Sequence, residues 1–204
     1  MTTRRALAAL IVLLVMVGCS PLRSDQPPAQ QYVLTSVSGA GAAAEPVRLP
    51  GPLTLERPTV APGLDGTRIR VRRSGHRLDH IADARWAEPL PMVVAARLRS
   101  ILARAPRAGD DQPAEAAPDH LHVRLERFYP VYSADTDDPP ELQVVLAVRL
   151  VSAGDGHTLA SARARNSAAA SANRVDAIVE GLSDLLEQTF LDALAQVRTE
   201  LEDD

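Results

Sequence analysis

The sequence predicts an α+β domain in two layers, with a mainly antiparallel sheet and two amphipathic helices on one face of it. The first observation is the order of segments: strands, a helix, three more strands and a second helix follow one another along the chain. The second is periodicity, because apolar residues recur every three or four positions in both helical stretches and alternate with polar ones in strand-like stretches. Helices on one face of an antiparallel sheet are the usual packing for such an order.

The first half of the chain is predicted to be mostly extended. Residues 32–37 (YVLTSV) are predicted to form the first strand. Residues 47–63 contain four prolines, which exclude a helix and leave an extended or turning segment with at most short regular pieces. Residues 67–81 alternate apolar and charged side chains around Ser74 and Gly75, a pattern typical of a hairpin with one solvated face.

The first helix is predicted from Pro89 to Ala105. Proline suits the first helical position, and either Glu88 or Asp83 is available to cap the helix or to complement its dipole. The polar faces are predicted to carry Arg97, Arg99 and Arg104. One apolar stripe is formed by Leu90, Val94, Leu98, Ile101, Leu102 and Ala105.

Three strands and a long helix are predicted in the second half. The strands are predicted over residues 120–132, 141–153 and 157–169, and the Gly154-Asp155-Gly156 sequence indicates a tight hairpin between the last two. The helix is predicted over residues 173–202, about 42–45 Å long, which is longer than the sheet it should cover. Part of its stripe is therefore a candidate partner interface, with core packing and a frayed acidic tail as the alternatives. The candidate interface residues are Phe190, Leu194 and Val197.

The N-terminus carries the only cysteine of the chain. Arg4 and Arg5 precede an apolar run from Ala6 to Val17, and Gly18 and Cys19 follow. The run is too short to span a bilayer but has the length of a signal-peptide core. This stretch resembles the bacterial lipoprotein signal, with Met16 where Leu is commonest. A buried free cysteine in an N-terminal helix is the alternative.

The lipoprotein resemblance implies three events around that cysteine. The chain is cut between Gly18 and Cys19, and Cys19 is acylated on its thiol and on its new amino group. Ser20 then favours transfer to the outer membrane, because Asp at that position would retain the protein at the inner one. The predicted organisation is a signal peptide over residues 1–18, a lipidated tether over 19–31 and one domain over 32–204.

Composition restricts the function further. The formal charge is −4, and it falls to −6 once Arg4 and Arg5 leave with the signal, which argues against a nucleic-acid partner. No nucleophile elbow, phosphate loop, dinucleotide fingerprint or zinc-protease motif occurs, so no enzyme activity and no cofactor are predicted.

His120 and His122 share a strand face but lack a third metal ligand nearby. His76, His80 and Asp83 form no recognisable triad with a serine, and Asp135 to Asp138 lack the spacing of a calcium loop.

A family resemblance becomes specific around the first helix. Tyr32 and Leu34 stand in the first strand, Leu49-Pro50 follows, and Arg85 to Leu90 (RWAEPL) opens the helix. These features resemble the ABC-type transport auxiliary lipoproteins, which include the paraquat-inducible protein C type. Gly51-Pro52-Leu53-Thr54 departs from the Tyr-Leu continuation that is common in the family. Trp86, in the sharpest part of the match, is either a packing residue under the helix start or a partner anchor.

The resemblance implies a non-catalytic lipoprotein subunit that works with MCE (mammalian cell entry) lipid-transport proteins or with ABC transporter subunits. It implies an anchor in the outer membrane facing the periplasm, with the inner membrane as the alternative. Self-association is left open. Two other functions remain as alternatives: an envelope assembly or structural lipoprotein that binds a protein partner, and a small periplasmic hydrolase.

Overall fold

The computed structural model describes residues 28–35, 52–73, 77–105, 117–133 and 138–203. Gly18, Cys19 and Ser20 lie outside these ranges, as do Leu49 and Pro50. Within them, eight strands and two helices form an α+β fold, as predicted. Their bounds are β1 Gln30–Tyr32, β2 Leu53–Leu55, β3 Thr59–Val60, β4 Arg68–Arg72, β5 Leu78–Trp86, α1 Leu90–Arg104, β6 Asp119–Val131, β7 Glu141–Val151, β8 Thr158–Ala169 and α2 Val175–Asp203.

The sheet is mixed, with order β1-β5-β4-β6-β7-β8. Its long ladders are antiparallel: β6 with β7, β7 with β8, and the β4–β5 hairpin. The other edge of β6 is covered by β2, then β3, then the end of β4, all parallel to it. The predicted extended character of residues 52–63 is therefore confirmed. Pro58 separates β2 from β3, since proline cannot donate a ladder hydrogen bond.

The first strand lies earlier than predicted. It ends at Tyr32, and it pairs in parallel with the end of β5, so that Tyr32 lies opposite Trp86. The chain then leaves the sheet and approaches α2, where the Ser183 hydroxyl donates a 2.7 Å hydrogen bond to the Thr35 carbonyl. Leu34, in this connection, is buried in the core. The predicted strand residues 36 and 37 fall outside the described ranges.

Helix α1 begins one residue after its predicted first residue. Pro89 is the N-cap with extended backbone, and no side chain caps the helix, so the expected role of Glu88 or Asp83 is not observed. The Leu90 N–H instead donates to the Gly66 carbonyl at 2.9 Å, which joins the helix start to the β4 entry. Asp83 has φ 55° within β5, an uncommon conformation for a non-glycine residue.

Helix α2 packs along the full length of the sheet. It has 29 residues, about 43 Å at 1.5 Å per residue. Strands β7 and β8, on which it packs, have 11 and 12 residues, about 36–40 Å at roughly 3.3 Å each, so the helix is only slightly longer than these strands and its buried stripe, which ends at Val197, is covered. A Cβ on Gly181 would lie 2.4 Å from Leu142 Cδ1, so glycine allows the helix to approach β7 closely at that point. Near its end, Glu200 Oε2 accepts a 2.8 Å hydrogen bond from the Ser161 N–H of edge strand β8.

Candidate functional site

The four residues predicted as a partner interface lie in the core. Trp86 is 2% exposed, Phe190 0%, and Leu194 and Val197 3% each. The Trp86 ring packs on Phe128 with centroids 5.9 Å apart under the start of α1. An interface at these positions is therefore wrong for the folded chain, and the packing alternative is correct. The physical reason is that strands β6 to β8 are long enough to cover the whole apolar stripe of α2.

An ionic cluster joins the two helices. Arg97, predicted on a polar face of α1, is only 2% exposed, and its guanidinium donates to Glu187 on α2. Arg104 donates to the other oxygen of that carboxylate at 2.8 Å. Burial lowers the pKa of Arg97 despite the attraction of Glu187, and burial with the nearby Glu180 raises the pKa of Asp184. The cluster holds α1 against α2, and it offers no nucleophile or proton relay.

A basic surface lies on the sheet face turned away from the core. Arg124, Ala147 and Arg163 stand opposite one another in one row across β6, β7 and β8, and Arg127, Val145 and Arg165 form the next row. Val145 is 1% exposed there, because arginines flank it on both sides and their aliphatic stems cover apolar surface. We call this surface the arginine face; it comprises Arg57, Arg72, Arg124, Arg127, Arg149, Arg163 and Arg165.

An open depression of about 700 Å³ lies within the arginine face. The residues that line it include the small Ala147 and the hydroxyl-bearing Thr59 and Ser161. The basic side chains that line it are Arg57, Arg124, Arg149, Arg163 and His122. The four arginines are exposed at its rim, and Arg57, Arg124 and Arg149 can contact a ligand or surface without prior rearrangement.

Few carboxylates neutralise this face. Glu126 accepts hydrogen bonds from Arg163 at 2.8 and 3.0 Å, and that contact, together with Arg124 and Arg127, lowers the pKa of Glu126. Glu141, at the far end, has its pKa lowered mainly by hydrogen bonds from Ser167 and Gln143. Among the residues that the structure describes, no ion pair within 4.0 Å involves the rim arginines 57, 124 and 149.

The histidines do not assemble a reactive site. His120 Nδ1 lies 2.7 Å from Glu56 Oε1, while His122 faces the depression. His80 is 3.5 Å from Asp79, and His76 falls outside the described ranges. No group of three potential metal ligands occurs within the described part of the chain, and no helix there is long and apolar enough to cross a membrane.

Sequence reasoning missed the arginine face, although the signal was present. Apolar or small residues alternate with Arg72 in β4, with Arg149 in β7 and with Arg163 and Arg165 in β8. Alternation places such arginines on one face of a sheet. The net charge of the whole chain concealed this basic sheet face, because α2 carries eight carboxylates and one arginine.

The fold and its surfaces define a two-layer α+β domain with a basic open face and no recognisable catalytic group among the described residues. Residues 32–193 match the family of ABC-type transport auxiliary lipoprotein components, and the chain belongs to that family. It is therefore an auxiliary component of a transport system, of a family of membrane-anchored lipoproteins.

Solved structures share the fold. Protein XCC0632 from Xanthomonas campestris, of the DUF330 family, aligns with a TM-score of 0.60 at 19% identity, covering 86% of this chain and 96% of that protein. An uncharacterized protein aligns with a TM-score of 0.59 at 18% identity, covering 83% and 97%. These likenesses establish the fold alone. No curated protein matches the chain.

Proposed function

We propose that this protein is a non-catalytic, lipid-anchored subunit of an ABC/MCE-type system that moves lipid between the two membranes of the envelope. The observation that carries the proposal is the family match over residues 32–193, and the signal ending at Gly18-Cys19 supports it. An auxiliary subunit needs a fixed position and a docking surface rather than a reactive group. The absence of a catalytic motif in the sequence agrees with that role.

The anchor would hold the domain near one membrane. Ten residues, Ser20 to Ala29, separate Cys19 from β1. A tether of that length behaving as a flexible chain spans roughly 16–19 Å root-mean-square. Two or more acyl chains on Cys19 would suffice for stable attachment, since one chain alone binds only marginally. Ser20 favours the outer membrane, facing the periplasm, so the transporter would have to reach the domain.

The experiment that tests this proposal is co-purification from envelopes. Protein tagged at its C-terminus is extracted in mild detergent and captured, and the associated proteins are identified by mass spectrometry. We expect MCE-domain or ABC permease subunits in the eluate. Recovery of envelope assembly proteins instead, with no transporter subunit, would contradict the proposal and favour a structural role.

A matched control isolates the anchor. Cys19→Ala removes the acylated thiol, so we expect a precursor that keeps its signal and shows no acyl mass at position 19. A processed Cys19→Ala protein that stays on the membrane through high-salt washing would contradict the lipoprotein assignment. The two assays are independent, because one examines the partner and the other the modification.

A further inference from the structure

We infer that the arginine face binds the anionic phospholipid headgroups of the membrane that carries the lipid anchor. The inference rests on the proposed anchoring through Cys19. It adds a second, electrostatic contact and assigns it to the outer rows of β6, β7 and β8. The domain then lies with this sheet face on the bilayer and with α1 and α2 directed into the periplasm.

Charge segregation is the first argument. Seven arginines on the arginine face stand against three carboxylates on this side of the sheet, which are Glu56, Glu126 and Glu141. On the opposite layer, α2 carries eight carboxylates and one arginine and α1 carries three arginines, so the two helices together are acidic. A domain with one basic and one acidic side is oriented by an anionic plane, because the plane attracts one side and repels the other. Each arginine close to such a membrane contributes about 1 kcal/mol of attraction.

The chemistry of the depression is the second argument. A guanidinium offers paired N–H donors that match two oxygens of a phosphate, so arginine suits phosphate recognition better than a point charge. Arg57, Arg124 and Arg149 at the rim have no ion pair within the described chain that a headgroup would first have to break. The hydroxyls of Thr59 and Ser161 add neutral donors beside them.

The position of the tether is the third argument. Strand β1, where the tether enters, is an edge strand, three strands from β6 and five from β8. At about 4.8 Å per strand, the lateral distance from β1 to the arginine face is roughly 14–24 Å. That matches the reach of the tether, so the acyl chains can insert beside the arginine face while it rests on the bilayer. Membrane attachment through two signals, lipid and basic surface, is an established physical arrangement.

The test uses the mature chain, residues 19–204, with Cys19→Ser so that no acyl chain contributes. It is sedimented with vesicles of phosphatidylcholine alone or with one third phosphatidylglycerol, in 0.1 M salt. We expect binding to the anionic vesicles only, and loss of it in 0.5 M salt because screening shortens the range of the attraction. Equal binding to both vesicles, or binding to neither, would overturn the inference.

Charge-reversal variants locate the contact. Arg124→Glu with Arg149→Glu should weaken binding to the anionic vesicles by at least about 10-fold. The control, Arg99→Glu with Arg174→Glu, changes net charge equally at exposed positions outside the arginine face and should change binding less than about threefold. Equal loss in both pairs would overturn the inference, because net charge alone would then explain binding. Arg124→Gln with Arg149→Gln, checked for an unchanged melting temperature, covers the case in which the glutamates disturb folding.

Two further outcomes would show that the arginine face binds something other than a membrane. If glycerol phosphate binds in calorimetry while vesicles do not, the depression holds a soluble anion and the membrane contact is wrong. If Arg124→Glu with Arg149→Glu abolishes self-association and leaves vesicle binding intact, the arginine face contacts a second copy instead. Co-purification of a transporter from envelopes is scored separately, so a failure on vesicles leaves the proposed function standing.

Discussion

A substitution at Leu194 tests whether the C-terminal half of α2 belongs to the hydrophobic core or to a partner interface. Its side chain is 3% exposed in the folded single chain, within the same cluster as Phe190 and Val197. Truncating a buried leucine to alanine removes the transfer free energy of the lost atoms and leaves a cavity, which together cost about 2–5 kcal/mol. For a domain of 150–250 residues each kcal/mol lowers the melting temperature by about 2–4 °C. Leu194→Ala should therefore lower it by about 4–20 °C.

The assay is thermal unfolding followed by circular dichroism on the mature chain with Cys19→Ser, at two protein concentrations. Gln196→Ala is the matched control, because Gln196 is exposed on the same turn, and a surface substitution should change stability by no more than about 0.5 kcal/mol. A concentration-independent loss in Leu194→Ala alone identifies core packing. An unchanged melting temperature together with lost self-association would refute the reasoning and return this stripe to an interface.

Two further predictions concern sorting and pH. Ser20→Asp should move the protein from outer- to inner-membrane fractions on a density gradient, and identical fractionation of the two forms would remove the sorting argument. Asp184→Asn should stabilise the fold at pH 7, because the raised pKa of Asp184 means that its ionised form is disfavoured in the folded state. This gain in the free energy of unfolding should shrink as the pH falls toward and below 3.8, the ordinary pKa of the carboxyl, because the carboxyl then becomes neutral in both the folded and the unfolded state. A gain that does not depend on pH between 3 and 7 would contradict this explanation.

The long elements were predictable from the sequence, and the short ones were not. The bounds of α1, α2 and strands β6 to β8 differ from the predicted ones by at most two residues, because their periodic patterns extend over 11 residues or more. Strands β1, β2 and β3 have three residues or fewer, too few for a period to emerge. Their parallel pairing depends on the distant strands β5 and β6, which local sequence does not encode.

The candidate interface failed for a related reason. The interface was predicted because short strands would leave part of the α2 stripe uncovered, but β7 and β8, with 11 and 12 residues, cover it. Arg97 shows a second limit of periodicity. A helical-wheel pattern assigns a charged residue to solvent. Arg97 is buried instead, because Glu187 on the neighbouring helix forms an ion pair with it. A single-helix pattern contains no information on such a partner.

The charge of the whole chain does not describe the charge of each of its surfaces. At physiological ionic strength an exposed charge is screened over about 8 Å. Layers in a folded domain are separated by about 10 Å, so a surface contacting the arginine face responds mainly to that face and much less to α2 behind it. A formal charge of −4 therefore does not describe the surface that a partner meets, and the predicted absence of a nucleic-acid partner stays a prediction. The relevant quantity is the charge of each sheet face, which alternation within β4 and β6 to β8 already encodes. The same alternation that buries Leu146 against α2 places Arg124 and Arg163 on the outer side, so core formation and the basic surface arise from one pattern.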